Sequence, residues 1–283
     1  MPTEQVHRTS HQVTADAPAA TVYGLLADAE RWPLLFPPTV HVRRLDTRDG
    51  GDGSRVERLA IWATANGTLK HWTSRRALDP AARRIGFRQE TPAPPLRSMG
   101  GTWIVDALGA DRSRVTLLHD FTVVDDRPDD VAWVLRATDT NSRSELGRLA
   151  ALASRPRRLD GMLFTFADSL RFRAPAVTVL DHLDHAALWP GAAPTVALRL
   201  PETGEVVFKT PEPPAPLSVH TGGWTVDADG PDGVVVTVRQ QVVLRAEDDV
   251  PRARQDVREE AGRVARTALT RLRDRNELIP SSA

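Results

Sequence analysis

The sequence contains no cysteine, which excludes disulfides, thiolate nucleophiles and cysteine-ligated metals. Lysine is scarce as well: Lys70 and Lys209 are the only two, so almost all the basic charge is arginine. Net charge is missing, with 37 basic and 37 acidic residues interspersed along the 283-residue chain, and with it the electrostatic footprint of a nucleic-acid or polyanion binder. No apolar run approaches the roughly 20 residues that span a bilayer, and residues 1–20 lack a signal-peptide core. A cytoplasmic protein with no membrane partner is therefore expected. A P-loop, a G-x-G-x-x-G turn and a G-x-S-x-G nucleophile elbow are all absent, and no organic cofactor is implied. His182 and His185 fall three apart on an expected helix without a third ligand, so no metal site is expected either.

What the chain does have is concentrated between Asn66 and Pro80, NGTLKHWTSRRALDP. Asn66-Gly67 suits a tight hairpin because both residues tolerate positive φ, and Asp79-Pro80 ends the extended run. Side chains alternate along a strand, so Lys70, Trp72, Ser74, Arg76 and Leu78 share one face, opposite Leu69, His71, Thr73, Arg75 and Ala77. One face carries an indole, a hydroxyl and a guanidinium in a row.

The surrounding pattern is regular. Gln5 to Thr14 reads as a strand. Ala17 to Glu30 reads as a helix, with Asp16 as its cap, Pro18 near its first turn and Val22, Leu25, Leu26 and Ala29 as its apolar stripe. Trp32-Pro33 closes that helix, and residues 34–38 are expected to form an apolar turn. Six extended runs follow, 39–44, 54–64, 68–78, 83–90, 98–108 and 113–123, with Gly, Pro, Asn and Asp in the gaps. The segment 92-PAPPL-96 is too proline-rich for a strand interior and is expected to be a loop. Asp129 to about Ala153 then reads as a long helix, acidic in its first turn, with Val131, Leu135, Thr138, Ser142, Leu146 and Leu149 near one side. The expected fold is α+β: a curved antiparallel sheet around a long C-terminal helix, a helix-grip arrangement with a cavity between helix and sheet.

The pattern begins again after 154-SRPRRLD-160. Asp160 to Phe172 resembles a strand and Ala174 to Ala187 a helix; Trp189-Pro190 repeats Trp32-Pro33, and 222-GGWTVD-227 repeats 100-GGTWIVD-106 with one residue fewer. This is an internal duplication. Trp32 and Trp103 are separated by 71 positions, whereas Trp189 and Trp224 are separated by 35. At roughly 10 residues per strand and turn, the second copy should lack about three strands. Thr195-Val196-Ala197 is the nearest remnant of Ser74-Arg75-Arg76, and it has no arginine. The expected organisation is a complete helix-grip domain over 1–153 holding the active cavity, a linker at 154–160, and a shortened structural copy over 161–283, packed on the first half or on a second subunit as a homodimer.

Together with the duplicated layout, the segments 31-RWPLLFPP-38, 72-WTSRRALDP-80, 86-GFRQETPAPP-95, 100-GGTWIVD-106 and 117-LLHDFTVVDD-126 resemble bacterial didomain aromatase/cyclases of aromatic polyketide biosynthesis, members of the START-like or Bet v 1-like helix-grip superfamily. The resemblance implies a linear poly-β-ketone held as a thioester on an acyl carrier protein. It also implies closure of the first ring by intramolecular aldol condensation, then dehydration to an aromatic ring, alongside a minimal polyketide synthase and ketoreductase. The family's serine and arginine fall on Ser74 and Arg76 and its cavity tryptophans on Trp32, Trp72 and Trp103, while a tyrosine of some single-domain relatives falls at about Thr39. Phe36 and Trp62 complete the expected substrate-binding set.

Such a reaction must stabilise an enolate, polarise a ketone and hold two distant chain positions together. Arg76 offers several permanently charged donors, and Ser74 can donate to a carbonyl or relay a proton. Of the two candidate proton carriers, His71 and His119, His119 is favoured because it shares a strand face with Val115, Leu117, Phe121 and Val123. The tryptophans supply flat walls. Arg83, Arg84 and Arg88 read as a solvated face, with docking of an acidic carrier as the alternative. A non-catalytic helix-grip carrier of a hydrophobic ligand or polyketide needs the same cavity and is the competing reading.

Overall fold

The computed structural model describes residues 5–65, 68–154, 161–183, 196–200, 202–210, 212–245 and 249–277. Two compact units divide the chain, Met1–Pro156 and Arg157–Ala283. The hairpin dipeptide Asn66-Gly67, most of the expected linker and Trp189-Pro190 lie outside the described residues.

In the first unit seven strands form one antiparallel sheet: β1 (His7–Ala15), β2 (Thr39–Asp49), β3 (Arg55–Ala65), β4 (Thr68–Asp79), β5 (Arg84–Gln89), β6 (Leu96–Gly109) and β7 (Arg112–Val123). Their order is β1-β7-β6-β5-β4-β3-β2, so the six consecutive strands form a meander and the first strand closes on the last. The helices are α1 (Ala19–Ala27), α2 (Trp32–Leu35) and α3 (Pro128–Ala153). Pro128 opens α3, where a missing N–H costs nothing, and Asp129 and Asp130 complement the positive end of its dipole. The helix packs along β1 and β7.

Local features differ from the pattern reading here. The first helix starts at Ala19 with Pro18 as its N-cap, so Asp16 does not cap it. It stops at Ala27, and a 3-10 turn over Ala29–Arg31 leads into α2. Residues 32–35 are therefore helical where a stop and an apolar turn were expected: proline fits the first turn of a helix as readily as it ends one, and Pro33 occupies that position. On α3, Val134 and Ala137 take inward positions and Leu135 is exposed.

The second unit repeats the plan with five described strands, β8 (Leu163–Arg173), β9 (Val196–Leu200), β10 (Glu205–Thr210), β11 (Leu217–Ala228) and β12 (Gly233–Leu244), and with helices α4 (Ala176–Leu183) and α5 (Val250–Glu277). The sheet order is β8-β12-β11-β10-β9. Among the described residues it is two strands short of the first sheet, not about three. Part of the missing length is absorbed by shortening: β9 has 5 residues where its counterpart β4 has 12.

Pairing registers align the copies residue by residue. Phe87 faces Gly101 across β5 and β6, and Phe208 faces Gly222 across β10 and β11. Gly101 thus corresponds to Gly222 and Trp103 to Trp224, with Thr221 in the place of Gly100, so the repeat needs no deletion. The glycine has the same physical cause in both copies. A Cβ at Gly101 would sit 2.0 Å from the Leu118 carbonyl oxygen and 2.8 Å from the Phe87 ring; at Gly222 it would sit 2.2 Å from the Arg239 carbonyl oxygen and 2.8 Å from the Phe208 ring.

Candidate active site

A cavity of about 230 Å³ lies between α3 and the sheet of the first unit. Strand alternation sends Lys70, Trp72, Ser74 and Arg76 of β4 to its wall, and Leu59, Ile61 and Ala63 of β3 join them. Trp32 and Phe36 enter from α2 and its end, Phe87 and Gln89 from β5, Met99 and Trp103 from β6, and His119 from β7. The rings interlock: Phe36 stacks on Trp103 at 6.3 Å and meets Trp32 edge-on at 5.6 Å. These walls suit flat, apolar matter.

Arg76 is 1% exposed. Its Nε donates to Glu57 Oε2 at 2.7 Å, its Nη1 to the Leu26 carbonyl at 3.0 Å, and its Nη2 to the Ala27 carbonyl and to Glu57 Oε2. Glu57 is shared with Arg55 at 2.7 Å and Arg44 at 3.4 Å. Burial draws the Arg76 pKa down, and the Glu57 carboxylate opposes that pull; arginine's high intrinsic value keeps it charged. The guanidinium also lies 5.3 Å from the Trp32 ring, whose indole N–H donates to the Leu26 carbonyl. Arg76 therefore ties the C-terminal carbonyls of α1 to β4, and one of its five N–H groups remains for an oxygen in the cavity.

Ser74, also buried, donates its hydroxyl to the Arg88 carbonyl at 3.1 Å, which leaves its oxygen lone pairs rather than its proton for a ligand. His119 packs edge-on against Phe87 at 5.6 Å, and its Nδ1 is buried without a hydrogen-bond partner. Burial, then the nearby His11, lowers its pKa to about 4, so the ring is neutral at physiological pH. His71 stacks on Trp62 at 4.3 Å. Trp62 is 6% exposed yet is not on the cavity wall: it pairs with His41 and His71 and alternates with Ile61 and Ala63, which do line the cavity, while His71 itself reaches the cavity lining. The run 59-LAIWA-63 is apolar at every position, so alternation alone did not phase it, and the expectation of Trp62 as a substrate wall is corrected by the register. Arg88 pairs with Asp120 at 2.7 Å and Arg83 donates to the Val105 carbonyl.

The sequence reading missed what α3 contributes. Trp133, Val134, Ala137, Thr138, Asn141, Ser142 and Glu145 form one stripe of that helix and all line the cavity. Asn141 reaches the Thr64 carbonyl at 3.4 Å, and Ser142 Oγ is buried without a partner. Burial alone pushes the Glu145 carboxyl up to about 7, and no neighbouring charge offsets it. A glutamate three residues beyond Ser142 on the inward stripe was the available signal.

Registers show what the second unit lacks. Ala197 faces Phe208 as Arg76 faces Phe87, and Gln240 faces Gly222 as His119 faces Gly101. Gln240 is bound to His220 at 2.9 Å and to the Ala261 carbonyl, while Phe208 and Trp224 sit in the core. Among the described residues no three His, Asp or Glu side chains are grouped to hold a metal ion, and no described helix is long and apolar enough to cross a membrane.

Comparison with known proteins agrees with this geometry. The granaticin polyketide synthase bifunctional cyclase/dehydratase of Streptomyces violaceoruber is 37% identical over 86% of this chain and 83% of its own length. The actinorhodin counterpart of Streptomyces coelicolor is 36% identical over 84% of each. The solved di-domain ARO/CYC BexL from the BE-7585A biosynthetic pathway superposes with a TM-score of 0.77 at 36% identity, covering 97% of this chain and 100% of its own. Residues 6–154, which carry the whole cavity, match the family described as polyketide cyclase/dehydrase and lipid transport. A duplicated helix-grip chain with an aromatic cavity in its first unit and relatives of this kind along most of its length belongs to the polyketide cyclase/dehydrase family.

Proposed function

We propose that this protein is an aromatase/cyclase of type II aromatic polyketide biosynthesis. Its cavity takes a poly-β-ketone tethered as a thioester to an acyl carrier protein, closes the first ring by intramolecular aldol condensation, and dehydrates it to an aromatic ring. It works in the cytoplasm beside the minimal synthase and ketoreductase. The observation that carries this reading is the pairing, in one aromatic-walled cavity, of a buried guanidinium with a carboxyl whose pKa is pushed up to about 7.

Confining the chain between aromatic walls brings the methylene and ketone into contact, which supplies much of the rate. The remaining Arg76 N–H faces the accepting ketone and the alkoxide that follows. In the aldol step a methylene C–H loses its proton, the carbanion bonds to the ketone carbon, and the alkoxide takes up a proton. In the dehydration a second C–H proton leaves and the hydroxyl departs as water. A carboxyl near 7 is close to evenly divided between acid and base at neutral pH, which suits Glu145 to accept the first C–H proton and pass it to the alkoxide, then to accept the second and return it to the leaving hydroxyl. His119, neutral, lines the same cavity with its Nδ1 buried.

The test is product analysis after reconstitution with a minimal synthase and ketoreductase. Wild type should convert a shunt mixture to one aromatic first-ring product, and Glu145→Gln should slow its formation about 100-fold or more. If wild type leaves the shunt mixture unchanged, the cyclase reading fails and the ligand-carrier reading replaces it.

A further inference from the structure

Lys70 is one of two lysines in the chain and sits on the same strand face as Arg76, six residues away. At about 3.3 Å per residue that is roughly 20 Å along β4. Both side chains line the cavity. Their surroundings differ: Arg76 is committed to Glu57 and two carbonyls, whereas Lys70, among the described residues, has no acidic or carbonyl partner.

The wall is also interrupted beside Lys70. On its β3 side β4 is paired from Thr68 to Leu78, but on its β5 side the backbone contact begins with the Glu90 N–H donating to the Thr73 carbonyl and the Ser74–Gln89 pair. The chain beyond β5 runs into Pro92, Pro94 and Pro95, which have no N–H to donate to β4. Lys70 and Trp72 on one side and Ala93, Pro94 and Pro95 on the other line the cavity across this gap. A chain tethered at one end enters through an opening and leaves its tethered end there, while its free end reaches the Arg76 end.

Resting on the cyclase reading above, we propose that Lys70 is a specificity-determining residue that binds the β-dicarbonyl oxygens at the thioester end of the substrate. The thioester carbonyl and the adjacent ketone flank an acidic methylene, and their enol or enolate form presents two oxygens to an ammonium with three donors. Holding those oxygens at the opening fixes how far the chain advances toward Arg76, and so which carbons meet. Lys70 transfers no proton in this role; it sets register.

The binding test uses two small thioesters without phosphate, S-acetoacetyl-N-acetylcysteamine and S-butyryl-N-acetylcysteamine, titrated by fluorescence of the cavity tryptophans. Wild type should prefer the acetoacetyl form about tenfold, the order expected of a charged hydrogen bond. Lys70→Met should abolish that preference and Lys70→Arg should keep most of it. Because the Lys70 amine has no acidic or carbonyl partner among the described residues, all three proteins should share one thermal midpoint. A preference that survives in Lys70→Met, or is absent from wild type, overturns the proposal. So does a Lys70→Met defect seen only with a phosphopantetheine thioester, since phosphate would then be the ligand. In the reconstituted system Lys70→Met should replace the single product by a mixture of ring registers. Loss of cyclisation by wild type itself, with the binding preference intact, would instead sink the cyclase reading and leave the Lys70 site standing.

Discussion

Beside the catalytic role proposed for it, Arg76 has a large structural one. Removing its side chain leaves Glu57 buried with only Arg55 and Arg44 beside it, takes the guanidinium donor from the Ala27 carbonyl, and leaves the Leu26 carbonyl with the Trp32 indole N–H alone. Arg76→Ala should cost about 3 kcal/mol of stability, read from urea unfolding, so its effect on products cannot by itself assign chemistry. Glu145→Gln is the cleaner probe, because glutamine has the shape of the neutral carboxyl.

The two half-buried titratable groups of the cavity also tilt stability in opposite directions with pH. Glu145 is raised in the folded state, so its contribution is complete below the ordinary glutamate value of 4.5 and is lost as pH rises to about 7. That loss amounts to at most about 3 kcal/mol, and Glu145→Gln should remove it in unfolding curves at pH 5 and pH 8. His119 is depressed from 6.5 to about 4, so the folded state loses stability as pH falls through that window. His119→Gln should flatten this acid limb without altering the alkaline one.

Within the elements, close packing of backbone decides where substitution is tolerated. Gly101→Ala and Gly222→Ala would each drive a Cβ into a neighbouring strand's carbonyl, and each should destabilise its own unit by about 3 kcal/mol. Gly86→Ala on β5 meets nothing within 4 Å and should be nearly silent in the same thermal assay. The paired glycines were visible in the sequence as a repeated motif, but their alignment was one residue off. Only the pairing of Phe87 and Phe208 with them fixes it. The β4 face was legible because the turn signals Asn66-Gly67 and Asp79-Pro80 bound one extended run, along which successive side chains alternate between faces. The α3 stripe was legible only in part: Thr138 and Ser142 fell on the apolar side of the helix, but Asn141 and Glu145 are polar, and a hydrophobic pattern does not signal that such residues turn toward a cavity.

Across the whole molecule, the two units have diverged in chemistry while keeping a plan. The second unit puts Ala197 and Gln240 where the first puts Arg76 and His119, and fills its interior with Phe208, Trp224 and the α5 leucines. Gln240→Ala should therefore lower the melting stability by about 1 kcal/mol through the lost His220 bond. It should leave the product profile of the reconstituted system at the wild-type pattern, whereas His119→Gln should change it.

By itself the sequence determined the duplication, the strand meander, the long closing helices and the face that carries Trp72, Ser74 and Arg76. Each of these follows from local periodicity and turn chemistry, which act over a few residues. Tertiary structure alone decided that Trp62 turns away from the cavity, that Arg76 is locked to Glu57 and the end of α1, and that Glu145 is held near neutrality opposite the sheet. Those outcomes depend on which groups from distant parts of the chain share a space shielded from water, and burial and charge pairing arise only once that space exists.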